Sequence, residues 1–154
     1  MKKITASILT VILLFSLLSC AQSQETNATT GANVTENNPT ATVILAGEED
    51  QVIVLNLSSL EENVSLYDAM KSETYRDQFQ AEVTEGEYLF LNRLKGLTPG
   101  ESEYIAIYTD DSAFSFGDPV EIKGHNYCYA SVGIADLILK DGAQYLFCVE
   151  AFSF

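Results

Sequence analysis

Few residues in this chain combine a reactive type with a spacing that chemistry can use. The single histidine, His125, lies in "KGHNYCY", and no Ser, Cys or Asp near it completes a recognisable nucleophile, base and orienting acid. It reads as a solvated turn histidine, and the chain reads as non-enzymatic. Asp110, Asp111 and Asp118 surround "SAFSFG". Hard cations gather several oxygen ligands, so this trio is the candidate calcium site, although its spacing departs from the roughly 12-residue EF-hand loop. Adjacent acids at a strand end also serve simply as its solvated terminus. Cys128 and Cys148 stand about 20 residues apart, and a disulfide between them would contribute a few kcal/mol by closing that loop. Two buried free thiols fit the sequence equally well.

Aromatic side chains supply the remaining candidates, and strand periodicity positions them. In "EYLFL", "YIAIY" and "QYLFCV" the aromatics Tyr88, Phe90, Tyr104, Tyr108, Tyr145 and Phe147 fall on one parity and the aliphatics on the other. A helix is expected over "SLYDAMKS", where Ser65 and Asp68 form a capping box and Leu66, Ala69 and Met70 recur at helical spacing. Glu61 and Glu62 flank its start, where the helix dipole favours negative charge. "TVILAGEEDQVIVLNL" reads as a hairpin around Gly47-Glu48-Glu49-Asp50. With "FQAEV" the strands and the single helix read as an α+β domain in which one helix covers one face of one sheet. The aliphatic parity suits packing on Leu66 and Met70. The aromatic parity needs a second cover: loops and the first strands, a partner, or a ligand. Tyr88, Phe90, Tyr104 and Tyr108, with Phe114 and Phe116 at the rim, are therefore the candidate ligand-binding residues.

The hydrophobic fraction of 47% over 154 residues is ample for one core. Residues 1–19 carry Lys2 and Lys3, then an apolar run of about 15 residues, shorter than the roughly 20 that span a bilayer. The ending Leu17-Leu18-Ser19-Cys20 resembles the lipobox of bacterial lipoprotein signal peptides, which implies cleavage before Cys20 and acylation of its thiol. Residues 20–40 then read as the lipidated cysteine and a polar, flexible tether, and residues 41–154 as the folded domain. The expected location is extracytoplasmic, with the membrane reached through the lipid. Formal charge is −14, and loss of Lys2 and Lys3 with the leader takes it to −16. Such a surface repels phosphate backbones, which argues against nucleic acid as a partner.

The segments "VSLYDAMKS", "FQAEVTEGEYLFLNRLKGL", "SEYIAIYTDD" and "VGIADLILKDGAQYLF" follow one another as do the motifs of the transcobalamin-like C-terminal domain. Over about residues 42 to 150 the chain resembles that family, which occurs in bacterial surface lipoproteins and as the β-domain of animal cobalamin carriers. Gly86-Glu87-Tyr88-Leu89, Tyr104-Ile105, Gly133-Ile134-Ala135-Asp136 and Lys140-Asp141-Gly142 carry the likeness. The resemblance implies a β-grasp-like, ubiquitin-related mixed sheet packed on one helix, and no enzymatic role or required cofactor. It also implies a small-molecule ligand of the cobalamin or corrinoid type, with His125 as a conceivable axial ligand to cobalt. The position after Tyr104 is commonly Trp in that family and is Ile105 here. If it faces the helix, the change is repacking; if it faces ligand, corrin binding suffers. The alternative occupant of the aromatic face is another surface protein.

Overall fold

The structure is a computed structural model that describes residues 38–152; the leader, Cys20 and most of the tether lie outside the described residues. Strands β1 (Thr40–Ala46) and β2 (Gln51–Asn56) form the expected hairpin. Helices α1 (Leu66–Lys71) and α2 (Arg76–Phe79) follow, then β3 (Glu82–Thr84), β4 (Phe90–Arg93), β5 (Glu103–Thr109), β6 (Ser115–Ile122), β7 (His125–Ala130) and β8 (Gln144–Ala151). Six strands make one mixed sheet in the order β2-β1-β8-β5-β7-β6, in which β1 and β8 are parallel and the other neighbours antiparallel. β3 and β4 form a separate two-stranded sheet. The domain is thus α+β. No helix among the described residues is long and apolar enough to cross a membrane.

Helix α1 begins where the cap chemistry predicts. The Ser65 hydroxyl accepts the Asp68 N–H at 3.1 Å and donates to the Asp68 carboxylate at 2.6 Å. Two further N–H groups of its first turn, those of Leu66 and Tyr67, donate to the carbonyls of Leu137 and Ile134. The stretch 131–143 therefore closes the helix start that water would otherwise satisfy. The helix is only six residues long, and Phe79, expected in a strand, instead ends α2 under a left-handed cap at Gln80.

The short helices decide which side chains fill the core. Cross-strand partners share a face, and the pairs Val43↔Tyr145, Leu45↔Phe147 and Ile107↔Phe147 put both β8 aromatics on the helix side. There Tyr145 and Phe147 are fully buried with Leu66, Met70, Phe79, Leu94 and Leu137. The uniform aromatic parity expected from sequence thus breaks in β8. Two helices of six and four residues leave volume that aliphatic strand side chains cannot fill, so the sheet supplies rings. The buried Tyr145 hydroxyl accepts the Lys140 N–H at 3.1 Å and donates to the Ile138 carbonyl at 3.2 Å, which makes its burial affordable.

Strands β6 and β7 were not expected at all. They are joined by Lys123-Gly124, both at positive φ (56° and 80°), the backbone of a two-residue hairpin turn. Asp118, expected beside Asp110 and Asp111, sits on the exposed edge strand β6 where its pairing with β7 is broken by a bulge.

Candidate binding face

The helices cover one face of the six-stranded sheet. Its other face has a small apolar layer of Ala106, Tyr108, Tyr127 and Leu146, with Ile44, Tyr104, Ile122 and Cys148 packed around it. Val52, Val54, Phe116, Val120, Tyr129 and Phe152 stand exposed around that layer. Register assigns them to this face: Val52 pairs with Ile44 and Val54 with Thr42, Phe116 pairs with Tyr129, and Tyr129 pairs with Tyr108. Phe152 stacks on Tyr104 with ring centroids 5.0 Å apart.

Glu150 gathers three phenols toward one end of this face. Its carboxylate accepts hydrogen bonds from the hydroxyls of Tyr104 at 2.9 Å, Tyr129 at 2.9 Å and Tyr108. The Cys148 thiol adds a longer donor at 3.8 Å. Burial pushes the Glu150 carboxyl up, but the three phenolic donors outweigh it and hold the group below the usual carboxylate range. The same contacts act in reverse on the phenols. The bond to Glu150, with burial second, raises the Tyr104 hydroxyl to about 12, and burial followed by that bond raises Tyr108 further. Burial next to Glu150 raises the Cys148 thiol to about 11. Tyr104 and Tyr108 are therefore neutral donors and the carboxylate an anion across the physiological range.

The six candidate ligand residues do not converge. Tyr104 and Tyr108 meet at Glu150, and Phe116 lies on the same face through Tyr129. Phe114 packs toward the helix-side core instead. Tyr88 and Phe90 are 69% and 62% exposed at the β3–β4 hairpin, a different sheet, because the strand begins only at Phe90. Ile105, the residue after Tyr104, is buried on the helix side.

The acidic and thiol candidates are also rearranged. Asp110 accepts the Gln144 N–H at 2.7 Å and pairs with His125 Nε2 at 3.0 Å, so it staples β5 to β8 and β7. The histidine is the first residue of β7 and no free turn residue. Asp111 is buried; its Oδ1 accepts the Ala113 N–H at 3.0 Å and faces the Lys140 ammonium at 3.3 Å, while Oδ2 has no partner. With Asp118 on another edge, the trio forms no metal site, and no group of three or more acidic, His or Cys ligands occurs among the described residues. Both thiols are free. Cys128 pairs with Thr109, which pairs with Tyr145 on the helix side, whereas Cys148 pairs with Ala106 on the open side. The two thiols point to opposite faces of the sheet with β5 between their strands, a geometry no disulfide spans.

Sequence reasoning missed Glu150 and Tyr129. The signal for Glu150 was available: it stands at even spacing from Leu146 and Cys148, so strand alternation puts a carboxylate on their face. Tyr129 needed the Lys123-Gly124 turn to be recognised first. Clefts lie elsewhere. One of about 450 Å³ is lined by Tyr67, Met70, Lys71, Arg76, Val83 and Glu85. There the Tyr67 hydroxyl donates to Glu85 at 2.5 Å and Lys71 bonds both, an exposed ion-pair cluster. Comparison of the chain with protein-family models and with curated proteins finds no match.

Proposed function

We propose that this chain is a non-catalytic binding module, held at the cell surface by a lipid on Cys20, and that it works through the uncovered face of its sheet. The observation that carries the reading is that Val52 and Val54 on one edge strand, Phe116 and Val120 on the other, and Tyr129 and Phe152 between them all stand exposed on one face, where Tyr129 bonds a fixed anion. Several large apolar side chains exposed on one face of a domain of strong net charge are the mark of a contact site. A broad, open face fits another protein surface better than a small molecule, which is normally enclosed. The domain reading is a β-grasp arrangement. A first hairpin followed by a helix, with the last strand inserted parallel beside the first, supports it.

A corrinoid is the second reading. It rests on the likeness to the transcobalamin-like domain and on the stacked Tyr104 and Phe152 rings, against which a flat macrocycle could lie. Two measurements test the pair. Pull-down from membrane extracts with the full chain should recover a partner that the Val54→Asp, Phe116→Asp double variant does not. Recovery unchanged by that variant would remove the open face from the function. Titration with cobinamide, followed by ligand absorbance and tyrosine fluorescence, addresses the second reading; no change at millimolar ligand sinks it. Separately, Cys20→Ala should release the chain from the membrane fraction if the lipid anchor is real.

A further inference from the structure

We propose that the open face docks a partner protein that sets an arginine side chain over Glu150, within a surround of apolar contacts; this rests on the contact-face reading above and names the chemistry of the partner. Glu150 lies near the end of β8, opposite Tyr104 of β5 and past the last β1 pair, Ala46↔Cys148, and its neighbours on the face are Tyr104, Ala106, Tyr108 and Cys148. Every donor it receives is neutral: three phenols and a thiol. Hydrogen bonds from neutral donors hold the carboxylate in place but leave its charge uncompensated. None of the ion pairs among the described residues includes it, whereas Asp50 has Lys123 and Asp111 has Lys140. An ionised, half-buried carboxylate ringed by aromatic surface selects for one complement, a cation that is itself flat and weakly hydrated. Guanidinium meets that description: it stacks on phenol rings while its N–H groups face a carboxylate. The two weakest claims on Glu150, the distant thiol and the hydroxyl of the exposed Tyr129, are the ones such a group displaces.

Charge also argues against two occupants, a second copy meeting face to face and the tether. A second copy would bring Glu150 toward Glu150 on two bodies of formal charge −14 each. Residues 21–37 contain one large apolar residue, Val34, and their only charges are Glu25 and Glu36, so they neither fill the face nor neutralise it.

Two peptides serve as probes, acetyl-leucyl-arginyl-leucine amide and its citrulline counterpart, which keeps the planar shape without the charge. Each is titrated into the full chain in neutral detergent, with tyrosine fluorescence as the signal; the chain has no Trp to mask it. The arginine peptide is expected to bind about tenfold more tightly than the citrulline peptide, the scale of a partly desolvated ion pair. Glu150→Gln should bring the two within about twofold of each other, with unchanged circular dichroism as the check that the sheet is intact. Equal binding of both peptides to the wild type overturns the proposal without recourse to any variant, as does a preference that survives Glu150→Gln or an absence of binding at millimolar peptide. Phe116→Ser, a change at an exposed ring, separates the two levels of inference. If it weakens both peptides while the arginine preference is absent, the face is a contact site but the cation assignment fails; if it leaves binding untouched, the contact-face reading fails with it.

Discussion

Replacing Tyr108 by Phe removes one hydroxyl from the Glu150 cluster and leaves the packing of the ring unchanged, so its cost isolates the hydrogen bond. A bond to a charged acceptor contributes about 1.5–3 kcal/mol. Glu150 keeps two other phenolic donors, at 2.9 Å each, and is only half-buried, so water can take the vacated position. The lower end applies, and the expected loss is about 1.5 kcal/mol at pH 7. The effect should depend on pH with a defined sign. The folded state holds the Glu150 carboxyl below its ordinary value of 4.5, so the stabilisation is complete above that value and is lost as pH falls through the folded-state value. Once acid, at about pH 2 in the assay, has protonated the carboxyl, the same substitution should cost only about 0.5 kcal/mol, the worth of a neutral bond. Urea unfolding of the full chain at both pH values, followed by circular dichroism, gives the two differences, with Tyr88→Phe at an exposed ring as the control. A loss below about 0.3 kcal/mol at pH 7, or an equal loss at pH 2, would falsify the account of Glu150 as an anion held by phenols.

Four further outcomes follow from the structure. Raising the pH should destabilise the fold from about 10 upward, because the Tyr104 and Tyr108 hydroxyls are held neutral when folded; the stability they confer is complete below 10.0 and lost as pH climbs toward 12, and a flat urea midpoint between pH 9 and 12 would contradict this. Phe79→Ala, at a fully buried ring, should cost about 3–5 kcal/mol in the same unfolding assay; a cost below 1 would mean that α2 is not packed as described. Iodoacetamide should modify Cys148 slowly at pH 8 and much faster as pH approaches 11, with no change in melting temperature on adding reductant; a reductant-sensitive melt would reinstate a disulfide. Gly47→Ala should destabilise by about 1–3 kcal/mol, because the added Cβ would stand 2.9 Å from the Gly96 carbonyl oxygen; a neutral effect would show that the two turns are not in contact.

Local chemistry made part of this fold legible in the sequence. The β1–β2 hairpin follows from two β-branched runs around Gly47, and the start of α1 follows from Ser65 and Asp68, since caps and alternation are satisfied within a few residues. The β5 strand and the opposite faces taken by Ile105 and by Tyr104 and Tyr108 were readable for the same reason. The β6–β7 hairpin was overlooked because β6 is an exposed edge with Gly117, Asp118 and Pro119 inside it, residues that break the apolar alternation used to recognise strands.

Parity within a strand is a local property, but which parity meets the helices is not. Nothing in "QYLFCV" reveals that Tyr145 and Phe147 turn inward while Tyr104 and Tyr108 turn outward; that depends on the pairing of β8 with β1 and β5 and on the volume that two short helices leave open. The same long-range register brings Glu150 under three phenols from two other strands and sends Cys128 and Cys148 to opposite faces. The sequence by itself determined the α+β character, the charge and the aromatic stock of the open face. Only the tertiary structure decided which aromatics belong to that face and what they hold, because sharing a face is a relation between strands distant in the chain, set by hydrogen-bond register and core volume rather than by any one segment.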